Sequence, residues 1–176
     1  FGPMMAFAVE LARERAEDAA RTPRICNIGT ASGDEVRGQR DMEEAARAAG
    51  YALHHLSLFP TPNVQDVESY LRSFDVIWGN GGSVVDLLAA WRAHGLPEIL
   101  HRAWQDDVAL AGISAGSICW FEGGVTDSFG PQLRAVTDGL GFLPGKPSGE
   151  PTPSLAVPGH ERRLSTDTFL NTALRL

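Results

Sequence analysis

Cysteine is scarce: Cys26 and Cys119 are the only two in 176 residues. Neither sits at a metal-ligand spacing, and so thin a supply predicts no disulfide framework and a reducing, cytoplasmic setting. Basic residues are also in short supply, 15 Lys and Arg against 22 Asp and Glu, for a net charge of −7 and a pI near 5.2. No basic stripe exists to meet phosphates, so nucleic acid and anionic membrane are excluded as expected partners. No apolar run approaches the roughly 20 residues of a membrane span, and the start at Phe1 carries no basic, signal-like segment. The adjacent His54 and His55 lack a Cys or carboxylate at ligand spacing, so a strand edge or loop is expected there rather than a metal site. What remains, 43% hydrophobic and 21% charged, is the composition of one globular core.

Apolar spacing organises that core. Residues 4–20 repeat with helical period (Met5, Val9, Ala12, Ala16). A strand over 24–28 runs into Gly29-Thr30-Ala31-Ser32-Gly33. A helix over 41–49 ends at Gly50, a strand over 51–59 is closed by Pro60 and Pro62, and a short helix over 64–73 is expected to be capped by Asn63. A strand over 75–78 enters Gly79-Asn80-Gly81-Gly82-Ser83. Helices over 84–94 and 99–106 precede a strand over 108–111. Strands that alternate with helices, and that are continuous rather than alternating apolar runs, predict an α/β domain with a parallel sheet covered on both faces. Its ligands should lie beyond the carboxyl ends of the strands, where all three Gly-rich loops fall. The domain is expected over 1–145. Residues 146–176 form a divergent tail, whose Gly145–Ser154 text is too rich in Pro and Gly for regular structure, with a weak helical segment over 166–174.

Gly112-Ile113-Ser114-Ala115-Gly116 is a G-x-S-x-G elbow between an apolar strand and the apolar Ile118-Cys119-Trp120-Phe121. A serine hydroxyl needs a base to take its proton and donors to hold the oxyanion it creates. The glycines permit the tight turn, and the helix that follows directs free N–H groups and its positive end at the same place. Ser114 is therefore the expected nucleophile. The backbone N–H of Ala115 is one expected oxyanion donor, with Gly81 and Gly82 supplying the other from the neighbouring loop. The competing reading is a tight turn whose serine merely caps a helix. For the Gly79–Ser83 loop the alternative is a phosphate cradle, but no Lys or Arg follows before Arg92 and no P-loop is spelled out.

The stretch Leu110–Gly145, LAGISAGSICWFEGGVTDSFGPQLRAVTDGLGFLPG, closely resembles the peptidase E family of aspartyl dipeptidase-like serine peptidases. VIWGNGGSVVDLLAAWRAHGLPEIL resembles its strand, Gly-rich loop and helix, with Asn80 where a first glycine is usual. ICNIGTASGD is similar to its earlier strand and loop, and the resemblance spans nearly all of 1–145. It implies a fold like that of class I glutamine amidotransferases, flavodoxin-like, with serine where those enzymes have cysteine. It implies cleavage of dipeptides or short peptides with an N-terminal aspartate, a triad completed by a histidine and an acid, and neither metal nor other cofactor. Cyanophycinases share a similar elbow. The family opens with a strand that is missing here, and carries its histidine roughly 35 residues beyond the serine, where Lys146–Thr152 holds none; both ends are expected to be divergent or truncated. His160 is the only histidine after Ser114 and is the remaining candidate base, with Glu161 or Asp167 to orient it. Its Pro/Gly-rich tether predicts a place well away from Ser114, an incomplete triad and little peptidase activity. A folded homologue that binds without turnover is one alternative. Another is a small-molecule esterase with Asp127 or Asp138 and His160 following the serine, or a cyanophycinase-like hydrolase. A homodimer is expected, since exposed sheet edges pair.

Overall fold

The computed structural model describes residues 2–15, 21–144 and 154–156. In order the elements are α1 (Pro3–Arg15), β1 (Arg24–Ile28), α2 (Val36–Ala48), β2 (Ala52–Leu56), α3 (Val67–Leu71), β3 (Val76–Gly79), α4 (Val84–Ala93), α5 (Leu96–Gln105), β4 (Ala109–Gly112), α6 (Ala115–Ile118), β5 (Gly124–Thr126), β6 (Arg134–Val136) and β7 (Ser154–Ala156). The main sheet has the order β2-β1-β3-β4-β7, its first four strands parallel, while β5 and β6 form an antiparallel pair.

Strand side chains alternate between two cores, as the pleat requires. Ile25, Val76, Trp78, Ala109 and Ala111 face one side, where α1 buries Met5, Ala8, Val9 and Ala12. Cys26, Ile28, Ile77 and Leu110 face the other, under Leu87, Leu88 and Trp91 of α4 and Leu96 and Leu100 of α5. Both faces are apolar because both are covered, hence the continuous hydrophobic runs. Full burial of each such large side chain stabilises by about 1.5–3 kcal/mol.

The departures from expectation have local causes. The second helix begins at Val36, not at 41, because the Glu35 carboxylate accepts from the N–H groups of Arg37 (2.8 Å) and Gly38 (2.7 Å); Val36–Arg40 has no apolar period to announce a helix. Asn63 does not cap α3. Asp66 does, by accepting from Ser69 N at 2.9 Å. Asn63 instead closes the loop after β2, accepting from Ser57 N and donating to the His55 carbonyl, both at 3.0 Å. β2 stops at Leu56 because the next N–H groups are taken by a side chain: Asp34 Oδ2 accepts from Leu58 (2.6 Å) and Phe59 (3.0 Å). Ser154–Ala156, where regular structure was not expected, adds a strand antiparallel to β4. The segments 157–176 and 16–20, with the helical segment expected over 166–174, lie outside the described residues.

Beneath α2, β1 and β2 hold a buried polar group. His55 Nδ1 lies 3.0 Å from Asn27 Nδ2, and His55 Nε2 lies 3.3 Å from Glu43 Oε1. With the Asn27 amide donating to Nδ1, the neutral ring carries its proton on Nε2, facing Glu43. Burial holds the imidazole below its ordinary pKa of 6.5, outweighing the attraction of Glu43 for the charged form. The unfolded chain therefore binds this proton more readily than the folded one. The stability that His55 contributes is full above about pH 6.5 and falls as pH drops through that value. Thermal melts from about pH 7.5 to about pH 5.5 should show the wild type losing more Tm than His55→Gln; equal losses would refute this assignment.

Candidate functional site

β3 and β4 lie side by side with Gly79 opposite Gly112, and both strands end in glycine-rich turns that pack backbone against backbone. Ile113 N donates to the Gly79 carbonyl (3.1 Å), and Gly116 N donates to the Asn80 carbonyl (3.0 Å). A β-carbon on Gly79 would lie 2.9 Å from Gly116 Cα, and one on Gly112 would lie 2.8 Å from the Gly79 oxygen. No residue larger than glycine fits these contacts.

That packing drives the chain through a strained conformation at Ser114, with φ 53° and ψ −120°, a region that a non-glycine residue occupies at a cost of about 1–3 kcal/mol. Ser114 stands at the N-terminal boundary of α6, yet its side chain makes no capping hydrogen bond. The helix-cap reading is thus not what its hydroxyl does. The residue is half-buried, and its neighbour Ile113 is 44% exposed, so the elbow opens to solvent.

The Gly81 backbone closes on the same point. A β-carbon there would lie 3.3 Å from Ser114 Cβ and 3.8 Å from its Oγ. Gly82 has φ +140°, and a β-carbon would overlap the Ala31 carbonyl and come within 3.0 Å of Ser32 N. Ser83 N donates to that carbonyl at 2.9 Å. The structure thus gathers Ser114, Ala115, Gly81 and Gly82 at one corner, with the loop after β1 behind them. Ala115, as the first residue of α6, has no acceptor for its N–H within the helix. Among the described residues the N–H groups of Gly81 and Gly82 also donate to nothing.

α6 is only four residues long, so the positive helix end expected after the elbow reduces to its free N–H groups, without a macrodipole of several turns. Beyond Ile118 the helical ladder gives way: Phe121 N donates only three residues back, to the Ile118 carbonyl (3.1 Å), and Leu140 N and Leu143 N take the carbonyls of Cys119 (2.8 Å) and Trp120 (2.9 Å).

The cysteines do not compete with the serine. Burial pushes the Cys26 thiol up to about 12, and raises that of Cys119 well above its ordinary value, so neither supplies a thiolate near neutrality. His54 and His55 lie in β2, and among the described residues no cluster of three or more His, Cys, Asp or Glu could hold a metal. Asp138 pairs with Arg92 at 3.0 Å, and Asp127 is exposed on the turn joining β5 and β6. His160, Glu161 and Asp167 lie outside the described residues.

Sequence reading missed that hairpin, whose three-residue strands are too short to show alternation. Its turn reaches the site: Ser128 Oγ accepts from Val84 N, the first residue of α4, at 2.9 Å. The Thr-Asp-Ser text of residues 126–128 carried the turn chemistry but not its destination. No helix among the described residues is long and apolar enough to cross a membrane.

Comparison with known proteins accords with this architecture. A solved structure, "1.5A Crystal Structure of a Putative Peptidase E Protein from Listeria monocytogenes EGD-e", superposes with a TM-score of 0.52 over 77% of this chain and 69% of that one, at 16% identity, a likeness of fold. "Uncharacterized peptidase YgaJ" of Bacillus subtilis (strain 168) is 46% identical over 123 residues, 70% of this chain; the chain spans about half that protein's length (52%). The model of Peptidase family S51 matches residues 6–168, well past Gly145, where the resemblance read from the sequence stopped. Family match, relative and fold agree with the serine elbow: the chain belongs to peptidase family S51.

Proposed function

We propose that this chain is a serine hydrolase that cleaves dipeptides or short peptides with an N-terminal aspartate, with Ser114 as nucleophile. One observation carries the reading. Ser114 is held on a strained elbow, its hydroxyl not used to cap α6, with the glycine loop of residues 79–83 against it. Ser114 Oγ attacks the scissile carbonyl, and the charge that develops on the carbonyl oxygen is met by N–H groups of Ala115 and of Gly81 or Gly82. Such donors act in a fixed, partly desolvated place and need no reorganisation as the charge appears. His160 is the proton acceptor assigned from sequence. The direct test compares hydrolysis of Asp-Xaa dipeptides by the wild type and by Ser114→Ala. Equal rates would remove Ser114 from the reaction.

A second reading, a family member that binds small acidic peptides without turnover, is favoured by one fact. The region where the resemblance places the family's histidine, Lys146–Thr152, holds none. A fluorophosphonate probe separates the two, since it reacts only with an activated serine oxygen. Labelling at Ser114 supports the hydrolase, and a silent serine supports the binding protein.

The outer edge of β2 is open among the described residues, and an open edge is a template for another strand. The proposed partner there is a second copy of the chain. Light scattering at micromolar concentration should give the mass of a dimer, and a stable monomer would refute it.

A further inference from the structure

The loop from β3 to α4 is tethered at four points. Asn80 N donates to the Ile28 carbonyl (3.2 Å), the Asn80 carbonyl accepts from Gly116 N (3.0 Å), and Ser83 N donates to the Ala31 carbonyl (2.9 Å). These three are backbone to backbone. The fourth is a side chain from 44 residues away, Ser128 Oγ, accepting from Val84 N at 2.9 Å. Val84 N–H belongs to the first turn of α4 and has no acceptor within its own helix. Ser83 caps the Asp86 N–H at 3.2 Å and leaves that of Val84 to an outside group.

Ser128 is itself held in place. Its Oγ is 2.7 Å from Thr126 Oγ1, and its own N–H donates to the same Thr126 oxygen at 3.1 Å. Thr126 is 5% exposed. Since Ser128 Oγ accepts from Val84, its hydroxyl proton is free to point to Thr126, whose oxygen has a lone pair for each donor. Gly81 and Gly82 lie between the Asn80 and Ser83 tethers. They are the two most freely rotating residues of the loop, and their N–H directions depend on what holds the loop's ends.

We infer that Ser128 is a positioning residue. Through Val84 it fixes the C-terminal end of the glycine loop, so that the Gly81 and Gly82 N–H groups face Ser114. This rests on the reading of Ser114 as nucleophile and of those amides as oxyanion donors. Loss of the tether leaves the Val84 N–H without an acceptor and the loop free to tilt. A shift on the order of 1 Å in such a site lowers rates by up to about a hundredfold.

The test uses the full chain with Ser128→Ala and Ser128→Thr, and three readouts. Amide hydrogen exchange at Ser83 and Val84, whose N–H groups are hydrogen-bonded in the tethered loop, should rise about tenfold in Ser128→Ala, through local opening alone. Fluorophosphonate labelling of Ser114, and kcat on an Asp-Xaa dipeptide, should fall at least about tenfold with KM nearly unchanged, because donors to the developing oxyanion act on the transition state. Ser128→Thr keeps the hydroxyl and should restore all three. Exchange at Ser83 that is unchanged in Ser128→Ala overturns the inference, as does raised exchange with unchanged reactivity or a loss that Ser128→Thr does not rescue. Labelling that persists in Ser114→Ala overturns the nucleophile reading instead. If the wild type does not label, the exchange rates alone decide whether Ser128 holds the loop.

Discussion

Ser114→Ala is expected to lower hydrolysis of Asp-Xaa dipeptides by at least about a thousandfold and to abolish fluorophosphonate labelling, without loss of Tm. The rate effect follows from removing the attacking atom, after which only binding and oxyanion donors remain to act on the substrate. The unchanged stability follows from the hydroxyl's lack of a hydrogen bond to the helix it precedes. A serine that capped α6 would behave in the opposite way, costing about 1 kcal/mol of stability on truncation and no activity. Measuring both quantities on one variant therefore separates the two roles. A drop in Tm with wild-type turnover would refute the nucleophile.

Gly116→Ala is expected to prevent the chain from folding, or to destabilise it by at least about 4 kcal/mol, out of the 5–15 kcal/mol typical of a whole domain. A β-carbon at Gly116 would overlap the carbonyl of Gly79 and lie 2.7 Å from Gly79 Cα. The obstruction is the backbone of a central strand, which cannot rotate away as a side chain could. The two strand ends would have to separate, exposing the core beneath them. Gly50→Ala is the matched control. Gly50 also has positive φ, +83°, but a β-carbon there meets nothing within 4 Å, so only the left-handed penalty of about 1–2 kcal/mol applies. Thermal melts followed by circular dichroism should show Gly50→Ala shifted by a few degrees and Gly116→Ala without a cooperative transition. Similar melts for the two variants would show that the elbow can relax.

Much of the site was legible in the text because glycine has few substitutes where two backbones meet. Gly79, Gly81, Gly82, Gly112 and Gly116 stood out as two loops at the ends of two apolar strands, and parallel topology puts such ends on one edge. That was enough to bring Ser114, Ala115, Gly81 and Gly82 together before any coordinates. The strands themselves were legible because a sheet covered on both faces must be apolar at every position. β2 is an edge strand with alternating burial, and its C-terminal end was overrun in the sequence reading, since Leu58 and Phe59 bond to Asp34 rather than to a strand.

By itself the sequence determined which residues are glycine at the elbow, which runs are apolar enough for a doubly covered sheet, and which serine stands at a strand's end. Those are properties of single residues and their near neighbours, set by sterics and hydrophobic period. Tertiary structure alone decided the rest. It showed that the Ser114 hydroxyl does not cap α6, that Leu140 and Leu143 bond the carbonyls just beyond that helix, and that Ser154–Ala156 adds a strand beside β4. It also showed that Ser128, 44 residues from Val84, bonds to the end of the loop that lies against Ser114. Apart from the first, each of these is a hydrogen bond between groups far apart along the chain. No local pattern encodes such a partner, because any serine or carbonyl within reach would serve, and only the packed fold determines which one is.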